Sequence, residues 1–222
     1  MNQIDSSSPL RQLRRRRFVA ELGFVALAAV GRSLPAGADD SRPPTPRQSL
    51  GPFYPTDWGG DRDNDLVIVK GEAARAFGTV AHVRGRVLDR DGTPLSGAAV
   101  EIWQCDANGV YRHPRERHAT RDPGFQGRGR TRAGEDGSWS FRTIRPVPYP
   151  GRTPHIHFLV RTPDGRELVT QLYVAGEPGN ARDGLLNSVR DPQQRERLIV
   201  RFDPADRIEA GALLARFDIV LG

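Results

Sequence analysis

The chain of 222 residues holds one cysteine, one methionine and one lysine. A lone Cys105 excludes a disulfide framework and any cysteine-based zinc cluster. The fold must therefore rest on its core, and a chain of this length can bury roughly 70% of its unfolded surface without staples. Long apolar runs are missing too. The best, residues 18–30, is interrupted by Glu21 and falls short of the about 20 residues a spanning helix needs. Hydrophobic residues make up only 37% of the chain, which excludes a polytopic membrane protein. Turn formers are plentiful: 24 glycines and 18 prolines mark many reversals while staying below low-complexity levels.

The net charge of +6 points first to nucleic acid, but its location argues otherwise. Arg11, Arg14, Arg15, Arg16, Arg17 and Arg32 face only Asp5 and Glu21 in residues 1–38, so that segment carries most of the excess. Beyond it the arginines are interspersed with acids, and no basic stripe is left for a phosphate backbone. Nucleic acid is excluded as a partner.

Arg14-Arg15-Arg16-Arg17-Phe18-Val19, the short apolar run and Ala36-Gly37-Ala38 have the order of a signal peptide. The arginine pair resembles a twin-arginine export signal, a route for folded proteins that suits one loaded with its cofactor before export. Residues 1–38 are thus expected to direct the chain to a periplasmic or extracellular location, with no stable membrane span. Residues 39–49, with Pro43, Pro44 and Pro46, read as a linker or draped arm. Residues 50–222 form the folded domain.

In that domain, alternation and turn signals predict strands over 80–88, 98–103, 138–144, 155–161, 168–174 and 217–221. One helix is expected over 181–189, and 192–198 is ambiguous. Many short strands between frequent turns predict an all-β fold: an antiparallel or mixed β-sandwich with long loops and at most one or two short helices.

His155-Ile156-His157 lies in a predicted strand, so both imidazoles project from one face while Ile156 packs on the other. Such a pair can share a metal ion, although many strands carry His-x-His by chance. Tyr149 sits in Pro148-Tyr149-Pro150, where the prolines stiffen the loop; a tyrosine merely packed on prolines reads the same way. Tyr111 follows the Asp106-Ala107-Asn108-Gly109 turn and could equally be a rim aromatic. His113 and His118, in an arginine-rich loop, read as solvated. His82 reads as structural and Cys105 as a packed thiol. Trp103 suits either a pocket lining or the core, and Gly51-Pro52 a pocket wall.

Several stretches together resemble the intradiol ring-cleavage dioxygenases. They are Gly51-Pro52-Phe53-Tyr54-Pro55, Trp103-x2-Asp106-Ala107-Asn108-Gly109-x-Tyr111-Arg112-His113, Phe141-Arg142-Thr143-Ile144-Arg145-Pro146, Pro148-Tyr149-Pro150, Pro154-His155-Ile156-His157-Phe158 and Thr170-Gln171-Leu172-Tyr173-x2-Gly176-Glu177-Pro178. The resemblance implies one Fe(III) per chain, held by Tyr111, Tyr149, His155 and His157. Phenolates are hard anions that favour ferric iron. The resemblance further implies that Tyr149 is the axial ligand displaced by substrate, that Arg152 stabilises negative charge on it, and that Gln171 orients a ligand beside the metal. The implied reaction inserts both atoms of O2 between the hydroxyl-bearing carbons of a catechol, giving a cis,cis-muconate-type diacid. No long helical region precedes the strands, and Gly151 shortens the wall after Tyr149, so the pattern is nearest the exported single-domain group. That group implies catechol and related plant-derived aromatics as substrates, with protocatechuate and hydroxyquinol left open, and an oligomer open as well.

A competing reading comes from Gly85-x-Val87-x-Asp89-x2-Gly92-x-Pro94-Leu95-x-Gly97-Ala98-x-Val100, which also marks transthyretin-like sandwiches that bind or stiffen without catalysis. It leaves the two tyrosines and two histidines unexplained. A cupin-like metal site would need a histidine after His157, and there is none.

Overall fold

Alternation along Val80–Leu88 (β1) sends Val83 and Val87 into the core and His82, Arg84 and Arg86 to the other face. A computed structural model describes residues 41–116 and 120–222; the expected export segment and His118 lie outside them. The remaining strands are Ala99–Trp103 (β2), Arg128–Arg132 (β3), Ser138–Ile144 (β4), His155–Arg161 (β5), Glu167–Val174 (β6), Ile199–Val200 (β7), Asp203–Pro204 (β8), Leu213–Arg216 (β9) and Ile219–Val220 (β10). One sheet runs β10-β1-β9-β8 with β4 on the other edge of β1; the second runs β3-β2-β5-β6-β7. Pairing is antiparallel except for β1 with β9 and β10, and β6 with β7, so the expected all-β sandwich is observed with mixed sheets.

The core lies between the sheets. Trp139 of β4 meets Phe158 of β5 at 5.4 Å, and Phe158 meets Phe217 at 5.3 Å. Each such buried side chain contributes about 1.5–3 kcal/mol from removal of apolar surface. Gly85 is required by close approach: a Cβ there would lie 2.0 Å from the Phe217 carbonyl oxygen, where β1 changes partner from β9 to β10.

Three local expectations are corrected. The strand at Arg128–Arg132 was not expected, because a sequence Arg-Gly-Arg-Thr-Arg has no apolar period; its pairing with β2 makes it a strand. The expected terminal strand 217–221 shrinks to Ile219–Val220 (β10), and a further strand that was not expected, Leu213–Arg216 (β9), precedes it across Phe217 and Asp218. The helix over 181–189 is a 3-10 turn, Pro178–Arg182, followed by one α-turn, Gly184–Asn187 (α1). The ambiguous segment holds a second short helix, Pro192–Glu196 (α2).

Residues 41–49 run along the domain without regular structure. Their backbone N–H groups bond to it at three points: Arg42 donates to Arg90, Thr45 to Val220 and Gln48 to Val169. This arm and the loops at 50–54 and 147–149 cover the outer face of the second sheet. Six of the seven residues of β5 are therefore buried, on both faces. Among the described residues no helix is long and apolar enough to cross a membrane.

Candidate metal centre

Strand parity places Ile156, Phe158 and Val160 in the main core and His155 and His157 on the opposite face, under the loops. Both imidazoles are buried. His155 Nδ1 lies 2.6 Å from the Thr153 carbonyl, to which it donates, and this makes its Nε2 an acceptor. That Nε2 lies 3.2 Å from His157 Nε2 and 3.4 Å from the Tyr111 hydroxyl. His157 is held flat by Trp103, whose ring stacks on it at 4.8 Å and 9°. On another side Gly51, at φ +74°, leaves just enough room, since a Cβ there would lie 3.2 Å from His157 Cε1. Trp103 thus both lines the site and packs in a second apolar cluster with Cys105, Tyr111, Leu159 and Val169.

Tyr111 is delivered by a turn that Asp106 organises. The Asp106 Oδ1 accepts from the N–H groups of Asn108 and Val110, and Oδ2 accepts from Asp122. Phe53 then stacks on the Tyr111 ring at 4.6 Å. Tyr149 opens the turn Tyr149-Pro150-Gly151-Arg152, closed by the Arg152 N–H to the Tyr149 carbonyl at 2.9 Å. Proline followed by glycine at φ +82° is the type II pattern, and it sets the side chains of Tyr149 and Arg152 beside each other. The rings of Tyr111 and Tyr149 meet edge to face at 5.5 Å. Tyr111 is buried, whereas Tyr149 is half-buried.

Arg152 is anchored from behind. Its Nε donates to Asp183 Oδ2 at 2.8 Å, and its Nη2 donates to Gln171 Oε1 at 2.7 Å and to Tyr173 at 3.3 Å. Asp183 also caps α1 through Leu185 and Leu186 and accepts from Thr153 N–H, so one carboxylate ties the helix, the arginine and the approach to His155. Gln171, fully buried and directly across from His157, donates to the Ser49 carbonyl. Tyr173, across from His155, donates to Gln48. Gln171 is therefore bonded to backbone and to Arg152, with its amide held fixed.

Electrostatics follow from burial. Desolvation, then the Arg152 charge, lowers His155 to about 4. Desolvation, His155 and Arg152 hold His157 well below the usual histidine value. Desolvation, with Cys105 and Tyr149 nearby, pushes the Tyr111 phenol well up against the opposing pull of Arg152. Burial also raises Tyr149, offset in part by Arg152 and by hydrogen bonding from Arg152 and Tyr111. Burial would raise Asp183 as well, but the N–H of Leu186 and the Arg152 guanidinium outweigh it and hold the carboxyl down. Cys105, desolvated beside Asp106, is pushed up to about 12 and stays a packed thiol.

Among the described residues no three of His, Cys, Asp and Glu converge on a metal position. The converging donors are two neutral imidazoles and two phenols. Two Nε2 atoms facing each other at 3.2 Å can share at most one proton, and both lie within reach of one ion at the about 2.1 Å typical of metal–imidazole bonds. The residues fit a hard, highly charged cation that takes the phenol protons' place.

Other expected residues lie apart from this cluster. His82 bonds to Glu209 at 3.0 Å on the first sheet, a structural contact. His113 meets Phe53 edge-on at 5.7 Å and lines a cleft of about 620 Å³, bordered by Tyr111, with Arg112 and Arg128. Phe53, Asp183, Gln48 and Tyr173 were not singled out from sequence. An Asp before Gly-Leu-Leu signals a helix cap, but nothing in the sequence pairs it with Arg152, 31 residues away.

The sequence profile of the family described as Dioxygenase matches residues 50–222. The protocatechuate 3,4-dioxygenase beta chain of Burkholderia cepacia is 38% identical over 184 residues, covering 79% of this chain and 78% of that one. Catechol 1,2-dioxygenase of Candida albicans is 31% identical over 175 residues, covering 71% of this chain; the chain spans 54% of that relative's length. Among solved structures, the dioxygenase domain of a dioxygenase carbohydrate-binding protein fusion from Streptomyces sp. SirexAA-E superposes with a TM-score of 0.63 at 35% identity. It covers 81% of this chain and 98% of that domain.

Proposed function

The chain belongs to the intradiol ring-cleavage dioxygenase family, and from that premise we propose that it is a ferric enzyme cleaving a catechol-type ring with O2 to a cis,cis-muconate-type diacid. The observation that carries this reading is the meeting of Tyr111, Tyr149, His155 and His157, from one strand and two separate loops, around one point beside Arg152.

Ferric iron, when bound there, supplies Lewis acidity and a template for the two substrate oxygens. The chain's own residues do the rest. Tyr111, His155 and His157 are buried and fixed by Phe53, Thr153 and Trp103, so they hold their positions. Tyr149 is the partly exposed donor, the one a substrate would displace, and as phenolate its oxygen would take a catechol hydroxyl proton. Arg152, charged and clamped by Asp183, faces that oxygen and stabilises negative charge arriving on the substrate. Gln171 orients Arg152. The Trp103 and Phe53 rings exclude water behind the donors.

Export through the 1–38 segment of a folded, metal-loaded protein is part of this reading. The non-catalytic binding-module reading is not favoured, because it gives no reason for four potential ligands to meet. Turnover of catechol under 18O2 tests the proposal. Both labelled atoms are expected in a diacid product; label in one atom only, or cleavage beside rather than between the hydroxylated carbons, contradicts it.

A further inference from the structure

The outer face of the first sheet is answered charge for charge at one end and not at the other. At one end Arg142 of β4 and His82 of β1 share Glu209, with Asp65 also on Arg142. Two residues along β1, Arg84 is the register neighbour of Arg216 on β9, with Ser140 of β4 on its other side. Like charges on adjacent strands destabilise a sheet unless something lies between them. Neither guanidinium makes a protein hydrogen bond among the described residues, and the Arg84 Nε is buried without a partner.

Both line a cleft of about 750 Å³ that Arg86 and Arg132 also enter, against the single acid Asp218. Asp218 lies 3.9 Å from Arg86 and leaves three positive charges uncompensated. Trp139 also borders the cleft, with its ring turned into the core on Phe158. An unsatisfied buried donor costs about 1–3 kcal/mol, and one beside a like-charge pair calls for an acceptor from outside.

The cleft stands apart from the His–Tyr cluster. Arg132 pairs with Ala99, at the opposite end of β2 from Trp103, which pairs with His157. Four residues of strand separate the two, about 13 Å.

We propose that this cleft is a binding site for a doubly charged oxyanion, held between Arg84 and Arg216. Its charge can come from inorganic phosphate or from an organic dicarboxylate, and the two are separable. Titration calorimetry of the full protein with phosphate, with succinate, and with chloride at matched ionic strength is the test. Saturable binding of phosphate alone identifies an inorganic ligand, and of succinate alone an organic diacid. Binding of both identifies an oxyanion site indifferent to shape, and all three outcomes support the proposal. Arg84→Gln and Arg216→Gln should each weaken binding about 10-fold, as for loss of a charge-assisted hydrogen bond. In anion-free buffer Arg216→Gln should melt no lower than the wild type, because it relieves the like-charge pair. Absence of saturation beyond chloride, unchanged affinity in both variants, or a fall of more than roughly 4 °C in the Arg216→Gln Tm would overturn it.

Discussion

Tyr111 and Tyr149 carry the same phenol in two settings, and the setting divides their labour. Tyr111 is sealed between Phe53 and His155, while Tyr149 stands at the mouth on a Pro-Gly turn beside Arg152. Tyr149→Phe removes one donor oxygen and the proton acceptor without emptying the core. It is expected to keep its Tm within a few degrees while losing roughly 100-fold in kcat/KM for catechol; full activity would show that Tyr149 is not the displaced ligand. Part of this scale was legible in the sequence. Strand parity alone put His155 and His157 on one face, and the family motifs pointed to both tyrosines. Asp183 was not legible as the anchor of Arg152, because a cap signal describes only the helix it starts. Gln171 was legible by position, yet its fixed bond to Ser49 emerges only once the arm is in place.

Strands with an apolar period were readable to within a residue, as β1, β4 and β5 show. Arg128–Arg132 was not, since its strand character comes from the β2 ladder rather than from its own side chains. At the C-terminus only β10 was legible and β9 was missed for a related reason: its strand character comes from the β1 ladder that both share, and Gly85 lies under Phe217 where β1 passes from one to the other. The loop before β9 is fastened to the sheet by Glu209. Hydrogen bonding from Arg142 outweighs desolvation there, His82 adds to it, and together they hold the carboxyl down at about 2. A carboxyl depressed in the folded state stabilises fully above its unfolded value, near 4.3, and loses that contribution as pH falls toward 2. Its side chain is a quarter exposed, so the screened contribution is roughly 1–3 kcal/mol. Glu209→Gln should therefore lower Tm at pH 7 and flatten its decline between pH 4.5 and 2. An acid limb identical to the wild type's would remove Glu209 from the account.

For the whole molecule, two sheets supply a rigid frame, and the chemistry sits on an outer face that loops and an N-terminal arm have turned into an interior. Composition and turn spacing predicted the sandwich; the prolines of 39–49 allowed a draped arm as well as a linker, but not that it would help to roof the site, because the bonds of Thr45 and Gln48 are made with residues more than 100 positions away. Thr45 and Gln48 alone give that segment five bonds to the domain, and Gln48 reaches Tyr173, which touches Arg152. A chain starting at residue 50 should melt roughly 10–20 °C below one starting at residue 39, five bonds of about 1 kcal/mol each; equal Tm values would show the arm to be passive. The central claim, that two phenolates and two imidazoles hold ferric iron open to a catechol, is tested most directly by the visible spectrum of the purified protein before and after catechol is added under nitrogen. A burgundy phenolate-to-iron band that moves to longer wavelength is the predicted result. A protein that stays colourless after anaerobic ferrous loading and reoxidation would contradict it.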